Sequence, residues 1–185
     1  MTNDIAFHTP RLQAHFINQQ NKNHVFELYA RKENTEFLEG ISAELDIQLG
    51  IECYGRYNNI GSYLIFENHS NKFVGIGGMQ LQEPMVDGSL SITDHDIEFL
   101  IILEKEFGGI GYASEFCDAF FNKCFSAFPT LTLPARTDKT NSACIKLLKK
   151  FGFAEVGEVD YHVYGNKFSL LKNNSNFYEK SKSKS

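Results

Sequence analysis

Hydrophobic and polar positions alternate along the chain in a way that divides it into short strands and a few amphipathic helices. Arg11 to Ile17, opened by Pro10, reads as a first strand. From about Lys22 to Gly40 the pattern mixes helix and loop, with Val25, Phe26 and Tyr29 at helical spacing. Ile41, Leu45 and Leu49 recur every four residues, which predicts a helix from Ile41 to about Tyr54. Ser62 to Glu67 and Lys72 to Leu81 read as two strands joined by the polar turn Asn68-His69-Ser70-Asn71. Gly75, Gly77 and Gly78 interrupt the second of these, as happens at a bulge or a close backbone approach.

A polar loop runs from Glu83 to His95, and the stretch before the central strand carries Glu83, Asp87, Asp94 and Asp96 with no Lys or Arg between them. The almost wholly apolar run Ile97 to Leu103 follows, and such a run belongs at the centre of a sheet. Gly111 to Ala127 presents a broad apolar helical face through Phe116, Cys117, Phe120 and Cys124. Leu131 to Ala135 is a short strand, and Asn141 to Phe151 a helix that Gly152 is placed to end. Ala154 to Val163 and Phe168 to Leu171 form a hairpin about Gly165-Asn166. The predicted order, β–α–α–β–β–β–α–β–α–β–β, is that of an α/β protein with a mixed sheet. One domain over residues 1–171 is expected, with the Lys-, Ser- and Asn-rich residues 172–185 fraying as a tail.

Composition narrows the function classes. A formal charge of −5 over 185 residues argues against a general nucleic-acid binder, which carries a basic face. Met1 to His8 lacks a basic start and an apolar core, so no signal peptide is expected there. No apolar run reaches the roughly 20 residues of a membrane span. Cys53, Cys117, Cys124 and Cys144 show neither CxxC spacing nor metal-ligand spacing, and the six histidines are scattered. No metal is expected. A cytoplasmic protein, monomer or homodimer, with reduced thiols follows.

The segment with chemistry in it is Gly108-Gly109-Ile110-Gly111-Tyr112-Ala113-Ser114-Glu115, between the central strand and the long helix. Its glycines permit a tight turn, and the first amides of the helix have no partners within it. That combination suits a pyrophosphate. A nucleotide P-loop is excluded because no Gly-Lys-Ser/Thr follows, and a dinucleotide fingerprint would need glycine where Ser114 stands. A glycine-rich turn without a ligand remains open on this stretch alone. Glu98 is the one charge in an apolar strand, as a proton acceptor or as a structural partner of a Lys or Arg.

Four pieces occur in order: Thr9-Pro10-Arg11-Leu12, Asp96-Ile97-Glu98-Phe99-Leu100, the glycine segment led by Phe107, and Asn141 through Gly152-Phe153. Together they resemble the GNAT superfamily of N-acetyltransferases, in its RimJ/RimL-like branch. Gly108 stands where that family often has Gln, Arg or an aromatic, Ile110 where it has Lys or Arg, Cys144 where it has Ser, and Leu148 where many members place a general-acid Tyr. The resemblance implies a GNAT-like mixed, mostly antiparallel sheet flanked by helices, with splayed central strands. It implies acetyl-coenzyme A as co-substrate and an amine as acceptor, either a protein N-terminus (including that of a ribosomal protein) or a small molecule. Cofactor contacts would come from Ile101, Leu103, Gly108, Gly109, Ile110, Gly111, Tyr112, Ala113, Ser114 and Asn141. Glu98 would take the amine's proton, and Cys144 would stand where a thiol could protonate the leaving thiolate. The alternative is a non-catalytic acyl-coenzyme A binding domain on the same fold.

Overall fold

The computed structural model describes residues 5–38, 42–81, 97–165 and 169–181. The elements are β1 (Ile5–His8), β2 (Leu12–Phe16), α1 (Asn23–Ala30), α2 (Ala43–Arg56), β3 (Ser62–Glu67), β4 (Phe73–Leu81), β5 (Ile97–Leu103), a 3-10 turn (Lys105–Phe107), α3 (Tyr112–Ala127), β6 (Thr132–Asp138), α4 (Ser142–Lys150), β7 (Ala154–Gly165) and β8 (Ser169–Ser181). The acidic stretch with Glu83, Asp87, Asp94 and Asp96 lies outside the described residues.

The strands form one sheet in the order β1-β2-β3-β4-β5-β6-β8-β7. Every neighbouring pair is antiparallel except β5 and β6, which are parallel. β5 is paired along its whole length with β4, from Leu81↔Ile97 to Gly75↔Leu103. With β6 it shares one pair, Phe99↔Ala135. Beyond that pair the two strands diverge, and the edge of β5 from Leu100 onward faces a gap.

Side-chain alternation along β5 sorts the core into two faces. Ile97 and Phe99 join the cluster built on α3, with Phe116, Phe120, Phe121 and Phe153. Ile102 points the other way, into a cluster with Val25 and Leu28 of α1, Ile47 of α2, Leu64 and Ile76. Gly75 explains the glycines of β4: with φ +150, an added Cβ would lie 2.2 Å from the carbonyl oxygen of Ile102. Only a residue without a side chain lets β4 and β5 run this close.

Most boundaries shift by a few residues from those read in the sequence, β6 for instance running on to Asp138, and two differences are larger. β1 pairs with β2 at the edge of the sheet, where the sequence pattern marked no strand. Lys172 to Ser181, expected to fray, continue β8, which pairs with β6 from Thr132↔Ser181 to Asp138↔Ser175. A strand ladder is made by backbone groups, so a polar composition does not prevent it where a neighbouring edge is open. The edge of β6 turned away from β5 is such an edge.

Candidate active site

The gap between β5 and β6 opens into a cleft of about 710 Å³. It runs from the glycine segment at the C-terminal end of β5 to a buried polar group on the α1–α2 face.

At the glycine end, the chain leaves β5 through Glu104 and the 3-10 turn, which Gly108 closes by donating its N–H to the carbonyl of Lys105 at 3.1 Å. Gly109 and Gly111 then take φ of +79 and +90, a left-handed conformation that glycine adopts without strain. Gly111 is the N-cap of α3, and no side chain caps the helix. The amides of Tyr112, Ala113 and Ser114 are its first turn and lack intrahelical partners.

The segment is clamped from behind. Arg11 Nη1 donates to the carbonyl of Ile110 at 3.1 Å, and Arg11 Nε pairs with Glu115 Oε2 at 2.6 Å. The Arg11 backbone N–H donates to Glu115 Oε1 at 2.7 Å, and the guanidinium lies 4.6 Å from the centre of the Tyr112 ring. Burial pushes the Glu115 carboxyl upward, but hydrogen bonds from Thr9 and Arg11 outweigh it and hold the group below its usual range. Tyr112 donates its hydroxyl to Glu67. The Thr-Pro-Arg-Leu piece of the sequence thereby acquires a physical role, fixing the glycine turn.

Of the residues read as cofactor contacts, Ile101, Leu103, Gly108, Gly109, Gly111, Tyr112, Ala113, Ser114 and Asn141 line the cleft. Ile110 does not: its side chain is 50% exposed, and its carbonyl is turned to Arg11. Asn141 caps α4, its Oδ1 accepting from the Cys144 amide at 3.0 Å. That leaves the Asn141 amide nitrogen as a donor to a molecule in the cleft.

Cys144 also lines the cleft. Burial raises its pKa, a hydrogen bond with Thr137 offsetting part of the rise, so the group is a neutral thiol near pH 7. Cys53 and Cys124 are fully buried, and burial pushes both to about 12. All four cysteines are free.

At the other end, Glu98 is 8% exposed and lines the cleft. Arg136 of β6 holds it, Nε donating to Oε2 at 2.7 Å and Nη2 at 2.6 Å. Gln80 Nε2 reaches Glu98 Oε1 at 3.3 Å and Asp46 Oδ1 at 3.2 Å, and Tyr29 donates its hydroxyl to Asp46. Burial first, then the Asp46 charge, raises the Tyr29 phenol well above its usual range. Tyr29, Asp46, Gln80 and Arg136 were not singled out in the sequence. The available signal was Gln80, an amide inside the apolar run Val74 to Leu81. Further along, Glu104 is held by Arg31 at 2.7 Å and by Asn34 Nδ2 at 2.8 Å, which ties the loop after α1 to the end of β5.

This geometry fits an acyl-coenzyme A: a diverging strand pair, an uncapped helix N-terminus behind two left-handed glycines, and an amide donor on α4. Residues 8–154 match the family model of the acetyltransferase (GNAT) domain. The chain therefore belongs to the GNAT acetyltransferase family, whose members use acetyl-coenzyme A, and it is an acyltransferase by family. No curated protein matches it. Among solved structures, a protein from Bordetella pertussis described as a GnaT-family acetyltransferase aligns with a TM-score of 0.75 at 16% identity, over 95% of this chain and 98% of that one. The ribosomal-protein-S5-alanine acetyltransferase of Vibrio fischeri aligns with a TM-score of 0.71 at 15% identity, over 97% and 98%. RimL, a ribosomal L7/L12 alpha-N-protein acetyltransferase in complex with coenzyme A, aligns at 0.66 and 16%, over 97% and 99%. At these identities the structures establish the likeness of fold. Among the described residues no group of side chains is placed to hold a metal ion, and no helix is long and apolar enough to cross a membrane.

Proposed function

We propose that the chain transfers the acetyl group of acetyl-coenzyme A to an amine by direct attack within a ternary complex. The observation that carries this reading is one continuous cleft with the glycine turn and uncapped start of α3 at one end and a buried carboxylate, Glu98, at the other. The co-substrate supplies an acetyl thioester, whose carbonyl carbon is the electrophile. The amides of Gly109 to Ser114 hold the pyrophosphate, the helix dipole adding to their hydrogen bonds. The main-chain groups of Ile101 and Leu103 pair with the pantetheine arm as a strand would, and Asn141 donates to it. Glu98 accepts the amine's proton, directly or through water, so that a neutral nitrogen attacks. Arg136 occupies Oε2, and Oε1, which accepts only the long 3.3 Å contact from Gln80, is the oxygen with capacity for that task. Cys144, held as a neutral thiol, is a proton source for the leaving thiolate.

For the acceptor we favour a protein N-terminal alpha-amine, as in the RimJ/RimL-like branch, with small amines as the alternative. The likeness to the alanine acetyltransferase of Vibrio fischeri and to RimL supports this order. A cytoplasmic setting accords with this substrate. The binding-only alternative draws support from the ion pair that occupies one oxygen of Glu98.

The experiment is release of free thiol from acetyl-coenzyme A upon addition of peptides with N-terminal Ser or Ala and of a panel of small amines. Acceptor-dependent release is expected. Tight binding of acetyl-coenzyme A with no release across the panel would assign the chain to binding alone.

A further inference from the structure

Gln80 sits on β4 directly opposite Glu98 of β5, and the two side chains share the α1–α2 face of the sheet. It is 6% exposed. Both hydrogen bonds of its amide nitrogen go to carboxylates, Asp46 Oδ1 at 3.2 Å and Glu98 Oε1 at 3.3 Å. An ionised carboxylate only accepts, so the nitrogen must face the two acids and the amide oxygen must face elsewhere. That oxygen, Gln80 Oε1, is buried and has no hydrogen-bond partner. Native proteins rarely leave a buried carbonyl unsatisfied. Gln80 lines the cleft, where a bound molecule can supply the donor.

We propose that Gln80 Oε1, with Asp46 and Glu98, is the seat of the acceptor's amino group, and that Gln80 selects acceptors by their N–H groups. This rests on the acetyl-transfer reading and deepens it. A primary ammonium that gives one proton to a carboxylate and aims the freed lone pair at a thioester still has two N–H bonds. One of them satisfies Oε1. A quaternary ammonium brings the same charge with no N–H, so it leaves the amide oxygen as it was. The two carboxylates supply attraction for any cation; the amide oxygen between them supplies the discrimination. By also donating both its hydrogens, Gln80 holds Asp46 and Glu98 at a fixed separation.

The test uses the full chain saturated with coenzyme A, which blocks turnover, and n-butylammonium as the probe, with binding read by ligand-observed magnetic resonance. Tetramethylammonium is the control cation. The wild-type protein should bind n-butylammonium at least about tenfold more tightly than tetramethylammonium, the usual worth of a hydrogen bond to a charged group. Gln80→Met, similar in size but without the oxygen, should lose about tenfold or more in n-butylammonium affinity. Gln80→Asn keeps the amide but draws its oxygen back by one methylene, and should lose affinity for n-butylammonium as well. Equal binding of the two cations by the wild type, an unchanged affinity in Gln80→Met, or no binding of n-butylammonium at all would each overturn the proposal, and a water would then be the partner of Oε1. If Gln80→Met fails to fold, the comparison of cations on the wild type and on Gln80→Asn decides. Calorimetry of coenzyme A on the same samples separates the two levels: failure there sinks the acetyl-transfer reading, whereas normal coenzyme A binding without an amine site sinks only the seat.

Discussion

Glu98 bears two demands at once, an ion pair with Arg136 on Oε2 and, on the oxygen that accepts from Gln80, the uptake of a proton. Glu98→Gln keeps the shape and removes the proton acceptor. Turnover should fall by roughly 10²–10⁴-fold, most at low pH where more of the amine is protonated, with acetyl-coenzyme A affinity unchanged. Because the partner Arg136 is only 16% exposed, the melting temperature should fall as well. Arg136→Gln serves as the comparison. It should cost stability similarly and lose less turnover; equal rate losses in the two variants would make the pair purely structural. The buried thiols give a second test. Cys53 and Cys124 fit the core only as neutral groups, so the folded state keeps their protons up to about 12. Unfolded thiols lose theirs from about pH 8.5. The stabilisation is therefore whole below about pH 8.5 and is lost as pH rises toward the folded values. Urea melts should show a lower midpoint at pH 10 than at pH 7, with a shallower fall in Cys124→Ala.

Helix α4 is fastened at both ends by devices visible in its sequence. Asn141 caps the start, and at the other end Gly152 at φ +79 closes a turn in which Gly152 and Phe153 donate to the carbonyls of Lys149 and Leu148. Asn141→Ala should cost about 1 kcal/mol in denaturant melts and weaken acetyl-coenzyme A as well. Asn141→Asp keeps the capping oxygen and discards the amide donor, so calorimetry should find weaker cofactor binding in a protein of undiminished stability. Equal cofactor affinity in all three forms would confine Asn141 to its capping role. β5, α3 and α4 could be read from the sequence because their signals are local: an apolar run, a helical stripe, a glycine, a cap. β1 is four residues long and exists through its pairing with β2. The end of β8 depends likewise on the open edge of β6. The glycine turn was legible for the same reason as α3, whereas the acid end of the cleft was not. Asp46 is brought to Gln80 from 34 residues away and Tyr29 to Asp46 from 17, distances over which no spacing rule applies.

Taken whole, the sheet consists of two halves, β1 to β5 and β6, β8 and β7, joined in the hydrogen-bond ladder by Phe99↔Ala135. A molecule bound between them stabilises the folded state alone. Acetyl-coenzyme A at 100 times its dissociation constant should add about 2.7 kcal/mol, a rise of roughly 5–10 °C for a chain of this length. No shift at millimolar concentration would count against the assignment. The same single pair gives the sheet a fulcrum. Each half has its own ladder, so opening between them is expected along the edge of β5 that faces the gap. A guest that bridges both edges turns a hinge into a weld. In deuterium exchange, the amides of Ile101 and Leu103, on the edge of β5 turned from β4, should exchange quickly in the free protein and slowly with coenzyme A bound, while the β3–β4 ladder changes little. The co-substrate would then be, for as long as it stays, a strand of the enzyme that acts on it.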